Sequence, residues 1–439
     1  MLDIHYFREH FEEVKQRLAT KHFACDCEVV RQLDQQRLSS RKTFEAARAQ
    51  QQAESKKMGT VDKTAAELQT ILQKLKTLSK EAKTLEMTHK ADENAFQEAW
   101  LTVPNLPDPS VSTGKTSQEN QERKQWHPEN EDFSRSCPHY ELPGFENGID
   151  FNRGTKVMGA GFPFYVGPVA RLVRALIAFF LEKARDHGYT ELLPPLLVNT
   201  ASATATGQLP DKEGQMYVAR KTVIDDKNQP SKLIDEGYLI PTAEVSVTNF
   251  FRDEILSEED LPKKYCAYSP CFRREAGSWG KDVRGLNRLH QFDKVELVQW
   301  VHPEAGRDTL PSLVKEVENL LQALELPYRV MEICTGDLGF PHAKQYDLEV
   351  WAAGQQRWLE VSSCSWFTDF QARRANIRFR EKNGSLRFVH TLNGSGLAIP
   401  RVLAAMLENN HCGNGRIRIP AVLQYWLPKE EIIDLQKNG

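Results

Sequence analysis

The sequence predicts an α+β protein in which long N-terminal helices precede a mainly antiparallel sheet that is flanked by helices. Glycine and proline are absent between Glu28 and Gly59 and again up to Pro104, while Gln, Lys, Glu and Ala dominate, as in long helices. From about residue 190 to residue 395, strand-like segments alternate with turns. Helices that frame such a region are typical of the α+β class.

Composition divides the chain of 439 residues into three parts, in keeping with a length that exceeds what one hydrophobic core usually serves. Residues 1–104 are assigned to a helical arm. Residues 105–150 are rich in Pro, Ser, Asn and Gly and are predicted to be a linker with little regular structure. Residues 151–439 are assigned to the α+β domain, with helices expected from about Val169 to His187 and from Ala398 to Asn410.

The first part is predicted to be an antiparallel helical hairpin. Asp3 can cap a short first helix. Two helices of about 30 residues each, joined at residues 58–60, would follow. In the second of them, apolar residues recur at alternating spacings of three and four, with Asp92 as a misfit, which indicates a heptad seam. The seam consists of Leu68, Ile71, Leu75, Leu78, Ala82, Leu85, His89, Phe96 and Ala99.

Charge is distributed unevenly along the chain. The formal net charge of −3 gives no overall field that would favour nucleic acid or a membrane. Between residues 37 and 90, however, there are twelve Lys or Arg and only six Asp or Glu. Two interpretations are open at this point: a solvated arm or dimerisation coil, and an arm that contacts RNA phosphates independently of sequence.

The eight cysteines favour free thiols over a disulfide or a zinc site, because only Cys25 and Cys27 are close and no CxxC pair exists. The N-terminal stretch contains acidic residues and no apolar core, which argues against a signal or transit peptide. The longest apolar run, residues 175–181, is far shorter than the roughly 20 residues that cross a bilayer. We therefore expect a cytoplasmic protein without membrane contact.

Charged residues gather in a strand-like region, CFRREAGSWGKDVRGLNRLHQFDKVELVQW (residues 271–300). Alternate residues of a strand share one face, and these are Cys271, Arg273 and Glu275 in the first half and Phe292, Lys294 and Glu296 in the second. If the strands pair through the loop 276–290, one sheet face offers a cation, an aromatic ring and carboxylates. Such a face can bind a planar base, a phosphate and an ammonium group. The alternative is a solvent-exposed face with surface ion pairs, where Phe292 would be poorly placed.

Five segments carry a resemblance to a known family. Residues 271–298 resemble motif 2 of class II aminoacyl-tRNA synthetases, in the form found in the seryl-tRNA synthetases. HGYTELLPPLLVN (187–199) resembles motif 1 and LIPTAEVSVTNFFRDEIL (239–256) the serine-binding segment. LEVSSCSWFTDFQARRANIRFR (359–380) resembles the strand that binds metal and ATP, and HTLNGSGLAIPRVLAAMLEN (390–409) resembles motif 3. The order of these segments is that of the family, and the likeness extends over essentially the whole chain. It implies the class II fold, an antiparallel sheet flanked by helices.

The resemblance implies a pocket that holds L-serine by its ammonium, carboxylate and hydroxyl groups. Glu244 suits the ammonium, Arg273 the reacting carboxylate and Glu296 the hydroxyl. The implied serine-binding residues are Thr242, Ala243, Glu244, Arg273, Glu296 and Ser395. Alanine would leave a buried carboxylate unpaired and would be rejected on that account, whereas rejection of threonine would need a closed wall.

The resemblance also implies that ATP lies over the same sheet face. Phe292 would stack on the adenine with Arg401 on its other side, and Glu360 and Ser363 would hold Mg²⁺, which prefers oxygen ligands. The implied ATP-binding residues are Arg273, Arg274, Glu275, Leu289, His290, Gln291, Phe292, Glu360, Val361, Ser362, Ser363 and Arg401. Arg273, Arg401 and Glu360 would carry catalysis by positioning and charge neutralisation, without a side-chain nucleophile. Pro400 stands where many relatives have glycine, and proline fits the first turn of a helix.

The family's partners follow from the same resemblance. In this family the helical hairpin binds the long variable arm of serine tRNA, and motif 1 forms a two-fold interface, so tRNA(Ser) and a second copy of the chain are the expected partners. Charging of selenocysteine tRNA stays open. Residues 218–237 are predicted to form an extra hairpin of unassigned role.

Two other functions stay open on the sequence. One is an RNA-binding or scaffolding protein derived from a synthetase that has lost catalysis. It would show damage at the arginines or carboxylates of motifs 2 and 3, whereas Arg273, Glu275, Glu296, Glu360 and Arg401 are all intact. The other is an enzyme that loads an activated amino acid onto a carrier protein. Relatives of that second kind lack the long arm, and some need a zinc site of Cys and His.

Overall fold

The structure is a computed structural model that describes residues 1–58, 65–129, 133–211, 214–224, 230–275, 284–428 and 431–437. The chain forms two compact units. The first comprises Met1–Leu18 and Phe23–Pro104, and the second comprises Ala19–His22 and Asn105–Gly439. Of the helices in the described part of the chain, none combines the length and the apolarity that crossing a bilayer requires.

The first unit is built from four helices. They are α1 (Ile4–Glu9), α2 (Phe11–Ala19), α3 (Cys27–Met58) and α4 (Ala65–Leu101). The carboxylate of Asp3 accepts hydrogen bonds from the backbone N–H groups of His5 and Tyr6, and so caps α1 as the sequence predicts. The predicted connection at residues 58–60 begins where α3 ends, and residues 59–64 lie outside the described part of the chain.

The two long helices run antiparallel. Gln36 donates to Asp92 at 2.7 Å near one end of α3, and Lys74 donates to Glu54 at 2.9 Å near the other. Leu78, Ala82 and Phe96 of the predicted seam are buried. The polar misfit Asp92 is therefore an inter-helix hydrogen-bond acceptor, which explains why the heptad pattern weakens there.

The second unit contains the remaining helices and all described strands. The helices are α5 (Phe145–Gly148), α6 (Phe151–Val157), α7 (Gly167–Asp186), α8 (Thr200–Ala205), α9 (Glu244–Thr248), α10 (Gly306–Ala323), α11 (Phe370–Ala375) and α12 (Ile399–Asn409). The strands are β1 (Gln121–Trp126), β2 (Ile149–Asp150), β3 (Phe164–Tyr165), β4 (Thr190–Leu192), β5 (Leu197–Val198), β6 (Tyr217–Ile224), β7 (Pro230–Leu239), β8 (Ile255–Ser257), β9 (Lys263–Phe272), β10 (Gln291–Val301), β11 (Tyr328–Glu332), β12 (Lys344–Ala352), β13 (Arg357–Trp366), β14 (Arg378–Arg380), β15 (Leu386–Phe388), β16 (His390–Ala398), β17 (Arg416–Arg418) and β18 (Ile432–Asp434).

The main sheet has eight strands in the order β1-β11-β12-β13-β16-β10-β9-β4. Its neighbouring strands are antiparallel except β4 and β9, which are parallel. The α+β class and the antiparallel sheet predicted from the sequence are thereby confirmed. One expectation was wrong: Gln121–Trp126, inside the predicted linker 105–150, pairs with β11 as an edge strand of this sheet. This strand was not predicted because its residues are polar and mostly exposed, so that it lacks the alternating apolar residues that indicate a strand.

The predicted extra hairpin is present as β6 and β7, which pair antiparallel on either side of residues 225–229, a connection outside the described residues. Arg220 donates to Asp235 at 2.8 Å and Lys221 donates to Glu236 at 3.0 Å across these strands. Exposed apolar side chains, among them Val218 and Leu233, complete its surface.

Apolar side chains pack on both faces of the main sheet. The larger cluster lies between the sheet and the helices α7, α10 and α12, and it includes Leu172, Val317 and Leu403. A smaller cluster contains Trp300, Ala243 and Phe251. Trp300 is fully buried, with its ring centroid 4.9 Å from that of Phe251. This smaller cluster supports the segment that resembles the serine-binding region.

We expect Trp300→Ala to lower the free energy of unfolding by about 3–5 kcal/mol, because it removes a fully buried ring and leaves a cavity beneath residues 243–251. The measurement is thermal and denaturant unfolding of the full chain. Tyr425→Ala, at a ring that is 81% exposed, is the control and should leave the transition nearly unchanged. Equal transitions in the two variants would contradict the packing described for Trp300.

Candidate active site

A ring, a cation and a carboxylate share one face of the central strand β10. Phe292 lies opposite Cys271 of β9, Lys294 opposite Ser269, and Glu296 opposite Ala267. Directly paired residues of antiparallel strands point to the same face. The three large side chains of β10 therefore stand beside three small ones, which leaves room above the sheet for a ligand.

Arg273 is brought to this face by the turn that follows β9. Its backbone N–H donates to the carbonyl of His290 at 2.9 Å, and its Nε donates to the carbonyl of Pro241 at 3.3 Å. Its guanidinium carbon lies 5.2 Å from the ring centroid of Phe292. The structure thus brings Arg273 and Phe292 together. The expected alternation does not reach Glu275, because β9 ends at Phe272 and Glu275 has a φ of 49°.

Glu296 is fully buried and only partly satisfied. Its Oε2 accepts a hydrogen bond from the hydroxyl of Thr242 at 2.9 Å and forms an ion pair with Lys294. Its Oε1 has no hydrogen-bond partner among the described residues. A buried carboxylate oxygen without a partner is costly, so this atom is the clearest indication that a ligand with a donor group completes the pocket.

Glu244 lies close to Glu296, and its pKa is strongly perturbed. Burial, and then the negative charge of Glu296, raise the pKa of Glu244 to about 7. Gln371 donates to its Oε1 at 2.7 Å, and the hydroxyl of Thr391 in turn donates to Gln371 at 2.8 Å. Two neighbouring carboxyl groups, of which Glu296 is paired with Lys294, suit a cationic ligand that also carries a hydroxyl group.

A bulge in β13 sets the direction of Glu360 and Ser363. Asp347 pairs with Ser363 and Glu349 with Glu360, so that Val361 is the extra residue in this strand. Residues three apart normally face opposite sides of a sheet, but the bulge places Glu360 and Ser363 on the same side as Asp347. Burial, and then the charge of Glu360, raise the pKa of Asp347 well above its usual range.

These oxygens fit a magnesium ion. Two carboxylates and one hydroxyl lie together, with only a long ion pair of 3.8 Å, from Arg401 to Glu360, to balance their charge among the described residues, and hard oxygen ligands are those that Mg²⁺ prefers. Within the described residues no group of three or more His, Cys, Asp or Glu could hold a metal by itself. Such a partial set is usual for Mg²⁺, which takes its other ligands from phosphate and water.

Arg401 lies at the start of α12, just after a second bulge. Ser395 pairs with Glu296 and Ala398 with Lys294, so β16 gains one residue there, and Leu397 takes a φ of 87°. Nη1 of Arg401 donates to the carbonyl of Glu360 at 2.7 Å, and its Nε donates to the carbonyl of Asn287 at 3.1 Å. Pro400 occupies the first turn of α12 without displacing these contacts, as the sequence predicts.

The other residues implied by the resemblance fall into two groups. Some border the site: His290 stacks on Phe162 with centroids 5.5 Å apart and is hydrogen-bonded to Tyr217, while Gln291 and Phe292 line a cavity of about 410 Å³ with Tyr217. The backbone N–H of Arg274 donates to the carbonyl of Gln215 at 3.0 Å.

The second group points its side chains away from the ligand face. Leu289 and Val361 belong to the hydrophobic core, and Ala243 belongs to the smaller apolar cluster, so only their backbone atoms could face a ligand. The hydroxyl of Ser362 donates to the carbonyl of Ser395 at 2.6 Å, which ties β13 to β16 at the pocket. Residues 276–283 of the loop 276–290 lie outside the described part of the chain.

Sequence reasoning missed two residues of the site, Gln371 and Asp347. The period of two placed Lys294 on the ligand face with Phe292 and Glu296, but the set of site residues implied by the resemblance does not include it. Gln371 lies inside a segment that resembles the family, although its bond to Glu244 crosses 127 positions. Asp347 lies in none of the quoted motifs, and it joins the site only because the bulge at Val361 turns Glu360 and Ser363 toward it.

The comparisons with known proteins agree with this geometry. Residues 225–410 match the model of the tRNA synthetase class II core domain that serves the G, H, P, S and T enzymes. Residues 1–107 match the model of the seryl-tRNA synthetase N-terminal domain. The fold is therefore that of a class II aminoacyl-tRNA synthetase.

Full-length relatives narrow the class to one family. A serine–tRNA ligase of Salinibacter ruber is 46% identical over 96% of this chain and 97% of its own length. One of Pelobacter propionicus is also 46% identical, over 97% and 98%. The crystal structure of seryl-tRNA synthetase from Pyrococcus horikoshii complexed with ATP superposes with a TM-score of 0.84 at 32% identity and covers 99% of both chains. This chain belongs to the seryl-tRNA synthetase family.

The raised pKa of Glu244 predicts a pH-dependent stability. The neutral form is favoured in the folded state, so the stability that it contributes is complete below pH 4.5 and is lost as the pH rises through about 7. We expect Glu244→Gln to stabilise the ligand-free protein at pH 8 by up to about 3 kcal/mol and to have little effect at pH 4.5. Thermal unfolding at the two pH values measures this.

The control for that measurement is Glu259→Gln, which changes an exposed carboxylate and should shift neither transition. A Glu244→Gln variant whose unfolding temperature changes equally at both pH values would show that the carboxyl group is ionised in the same way in the folded and unfolded protein.

Proposed function

We propose that this chain activates L-serine with ATP to form seryl-adenylate and then transfers serine to the 3′ end of tRNA(Ser). The single observation on which the choice of amino acid rests is the buried Oε1 of Glu296, which has no partner among the residues that the structure describes and lies beside the carboxyl group of Glu244. Serine carries a hydroxyl group and an ammonium group that are only a few bonds apart. It can therefore donate one hydrogen bond to Glu296 and another to Glu244. Membership of the seryl-tRNA synthetase family supports the same substrate.

The pocket residues have separate roles in holding serine. Glu296 accepts the serine hydroxyl, with its charge balanced by Lys294 and its orientation fixed by Thr242. Glu244 in its ionised form binds the ammonium group. Ser395, the cross-strand partner of Glu296, closes the pocket on the side of β16. The amino-acid carboxylate is then directed toward Arg273.

ATP occupies the adjoining part of the face. Its adenine stacks on Phe292, and its phosphates lie near Arg273 and Arg401. The relative from Pyrococcus horikoshii, whose structure was determined with ATP, supports this placement, since the two chains superpose over nearly their full lengths. Glu360, Ser363 and Asp347 would hold Mg²⁺, which when bound neutralises phosphate charge.

The first reaction is an in-line displacement. The serine carboxylate oxygen attacks the α-phosphorus of ATP, the bond to the β-phosphate oxygen breaks, and pyrophosphate leaves with the electron pair. Arg273 orients the carboxylate and neutralises charge on the α-phosphate, and Arg401 neutralises charge from the other side. In the second reaction a terminal ribose hydroxyl of tRNA attacks the acyl carbon and AMP departs.

The helices α3 and α4 are the proposed binding surface for tRNA(Ser). They carry the basic excess of residues 37–90 on long solvent-exposed helices, and phosphate contact of this kind reads shape rather than sequence. The Seryl-tRNA synthetase N-terminal domain model, which matches residues 1–107, supports this role.

We also propose a homodimer in the cytoplasm. The segment that resembles motif 1 contains the edge strand β4, and the next residue, Leu193, is 84% exposed, as an apolar side chain at an interface would be in a single copy. The cysteines are free thiols, including the Cys25 and Cys27 pair with sulfur atoms 3.9 Å apart, which supports a reducing compartment.

Pyrophosphate exchange with each amino acid, followed by charging of tRNA, tests this function against its rivals. Exchange with serine and charging of serine tRNA supports the proposal. Failure to exchange any amino acid would favour the scaffold, and exchange without tRNA charging would favour the loading of a carrier protein. The contact of Arg273 with Phe292 and that of Arg401 with the backbone of Glu360 support catalysis over the scaffold.

We expect Glu296→Gln to reduce kcat/KM for serine by about 100-fold and to reduce the preference for serine over alanine, because the amide offers a weaker acceptor to the hydroxyl. Pyrophosphate exchange with the two amino acids measures both quantities. The matched control is Asp293→Asn, three positions away on the opposite face of β10, where the carboxylate bonds to Tyr268 at 2.8 Å. An unchanged serine-to-alanine ratio in Glu296→Gln would refute the role given to Oε1.

For the arm, we expect the combined change Lys76→Glu, Lys80→Glu and Lys83→Glu to raise KM for tRNA at least about tenfold and to make its salt dependence shallower. These lysines are exposed and close together on α4. Serine-dependent pyrophosphate exchange without tRNA should stay unchanged, because the arm takes no part in adenylate formation.

The control for the arm carries the same charge change on the other unit, at the exposed residues Lys315, Lys382 and Lys437. If both triple variants weaken tRNA binding equally, the effect is one of net charge and not of the arm.

A further inference from the structure

A second polar cluster is buried beside the ATP face and outside the serine pocket. His139 and Glu408 are both completely buried. Oε1 of Glu408 accepts hydrogen bonds from Nδ1 of His139 at 2.7 Å and from its backbone N–H at 3.0 Å. Neither residue belongs to the set implied by the resemblance. A fully buried histidine and carboxylate joined in this way demand a structural or functional reason.

The other ring nitrogen of His139 points at Leu286, near the end of the loop 276–290, which is called the ATP-side loop below. The backbone N–H of Leu286 donates to Nε2 of His139 at 2.9 Å. Because Nε2 accepts this bond, the ring proton resides on Nδ1, where it is donated to Glu408. The carboxylate thus fixes the tautomer of the imidazole, and the imidazole fixes the position of Leu286.

Gln355 links Glu408 to Asn287, the residue that follows Leu286 in the loop. Its backbone N–H donates to Oε2 of Glu408 at 3.0 Å, and its Nε2 donates to Oε1 at 2.7 Å. The side-chain amide of Asn287 donates to Oε1 of Gln355 at 2.7 Å. Leu286 and Asn287 are therefore held by separate branches of one network that begins at Glu408.

Helix α12 connects this network to the catalytic arginine. Arg401 and Glu408 are seven residues apart, about two turns, and so project from one side of the helix. Arg401 donates through Nε to the carbonyl of Asn287 at 3.1 Å, while Glu408 reaches Leu286 through His139. The next residue of the loop, Arg288, donates to Glu275 at 2.9 Å. Residues 284–289 form the returning limb of the loop. This limb is thus tied to α12 at two positions, Arg401 and Glu408.

The close approach of the imidazole leaves no room for a side chain at position 285. Gly285 has a φ of 60°, and a Cβ built there would lie 2.1 Å from Nε2 of His139. Only glycine satisfies both the backbone conformation and the contact. This fit indicates that the ring and the returning limb are matched to each other.

We infer that His139 and Glu408 are positioning residues for ATP: through Leu286 and Asn287 they hold the returning limb so that Arg401 and the Arg288–Glu275 pair face the nucleotide. The inference rests on the proposed placement of ATP over Phe292 and Arg401. None of the hydrogen bonds in the network reaches Thr242, Glu244 or Glu296. Loss of the network should therefore weaken ATP binding and spare serine binding.

The experiment compares two replacements of His139 in the full-length protein. His139→Asn retains a donor near Nδ1 for Glu408 and removes the acceptor for the Leu286 N–H, whereas His139→Gln can place an acceptor near Nε2. We expect His139→Asn to raise KM for ATP about tenfold in serine-dependent pyrophosphate exchange, with KM for serine changed less than about twofold. His139→Gln should recover part of the ATP affinity.

Gln355→Ala is a second variant that should fold in any case, because it truncates a partly exposed side chain in a turn. It removes the branch to Asn287, so KM for ATP should rise about threefold. Glu318→Gln is the matched control, since Glu318 is a buried glutamate that bonds to the hydroxyl of Tyr328 at 2.7 Å, far from the loop in the fold. It should lower the unfolding temperature without changing KM for ATP.

Arg401→Ala separates failure of this inference from failure of the proposed site. If Arg401→Ala leaves KM for ATP unchanged, the placement of ATP is wrong and the inference falls with it. If Arg401→Ala raises it while His139→Asn and Gln355→Ala do not, the placement stands and the network only stabilises the fold. Equal increases in KM for ATP and serine, or no recovery in His139→Gln, would likewise overturn the positioning role.

Discussion

The site depends on the burial of two carboxyl groups, that of Glu244 at the start of α9 and that of Glu296 on β10. Taking such groups out of water is unfavourable unless they are paired and hydrogen-bonded. Lys294, Thr242 and Gln371 supply part of that compensation. Among the described residues the remainder is missing, as the lack of a partner there for Oε1 of Glu296 and the raised pKa of Glu244 both indicate. A ligand that carries an ammonium and a hydroxyl group would donate hydrogen bonds to both carboxyl groups. The empty pocket is unfavourable because these bonds are lacking, and a ligand without either donor would leave it so, which is the proposed source of selectivity.

Backbone irregularities convert this sheet into a binding surface. A regular strand presents every second residue to one face, which would separate Glu360 from Ser363. The bulge at Val361 unites them with Asp347, and the bulge before Ala398 allows Ser395 to remain opposite Glu296 while α12 starts close by. Leu397 carries the strain of the second bulge, with a φ of 87°. Strain of this size persists only where the surrounding packing enforces it, and Leu397 is fully buried.

How much could be predicted from the sequence follows from these particulars. A period of two was enough to group Phe292, Lys294 and Glu296, because β10 is regular there. The same rule failed at Glu275, where β9 has already ended, and it cannot foresee a bulge, which reverses the parity of all later residues. The edge strand Gln121–Trp126 has almost no buried side chain to reveal it. Residues such as Asp347, Gln371 and His139 enter through tertiary contacts that no local pattern encodes.

Two segments flank the part of the ATP-side loop that lies outside the described residues: the leading limb, residues 273–275, and the returning limb, residues 284–289. They are held by different means, and this difference affects how a ligand can be bound there. The leading limb is fixed by backbone bonds, from Arg273 to His290 and from Arg274 to Gln215. The returning limb is fixed by buried side chains that lead back to α12. In the proposed placement of ATP, Arg273 contacts phosphate, and its side chain is also oriented by the hydrogen bond from its Nε to the carbonyl of Pro241. A charged side chain at a solvent-exposed binding site is best oriented by hydrogen bonds on its buried side, because buried hydrogen bonds do not exchange with water. A buried histidine–carboxylate pair at the rear of the returning limb meets that requirement, because it can be fully satisfied within the protein whether or not a nucleotide is present.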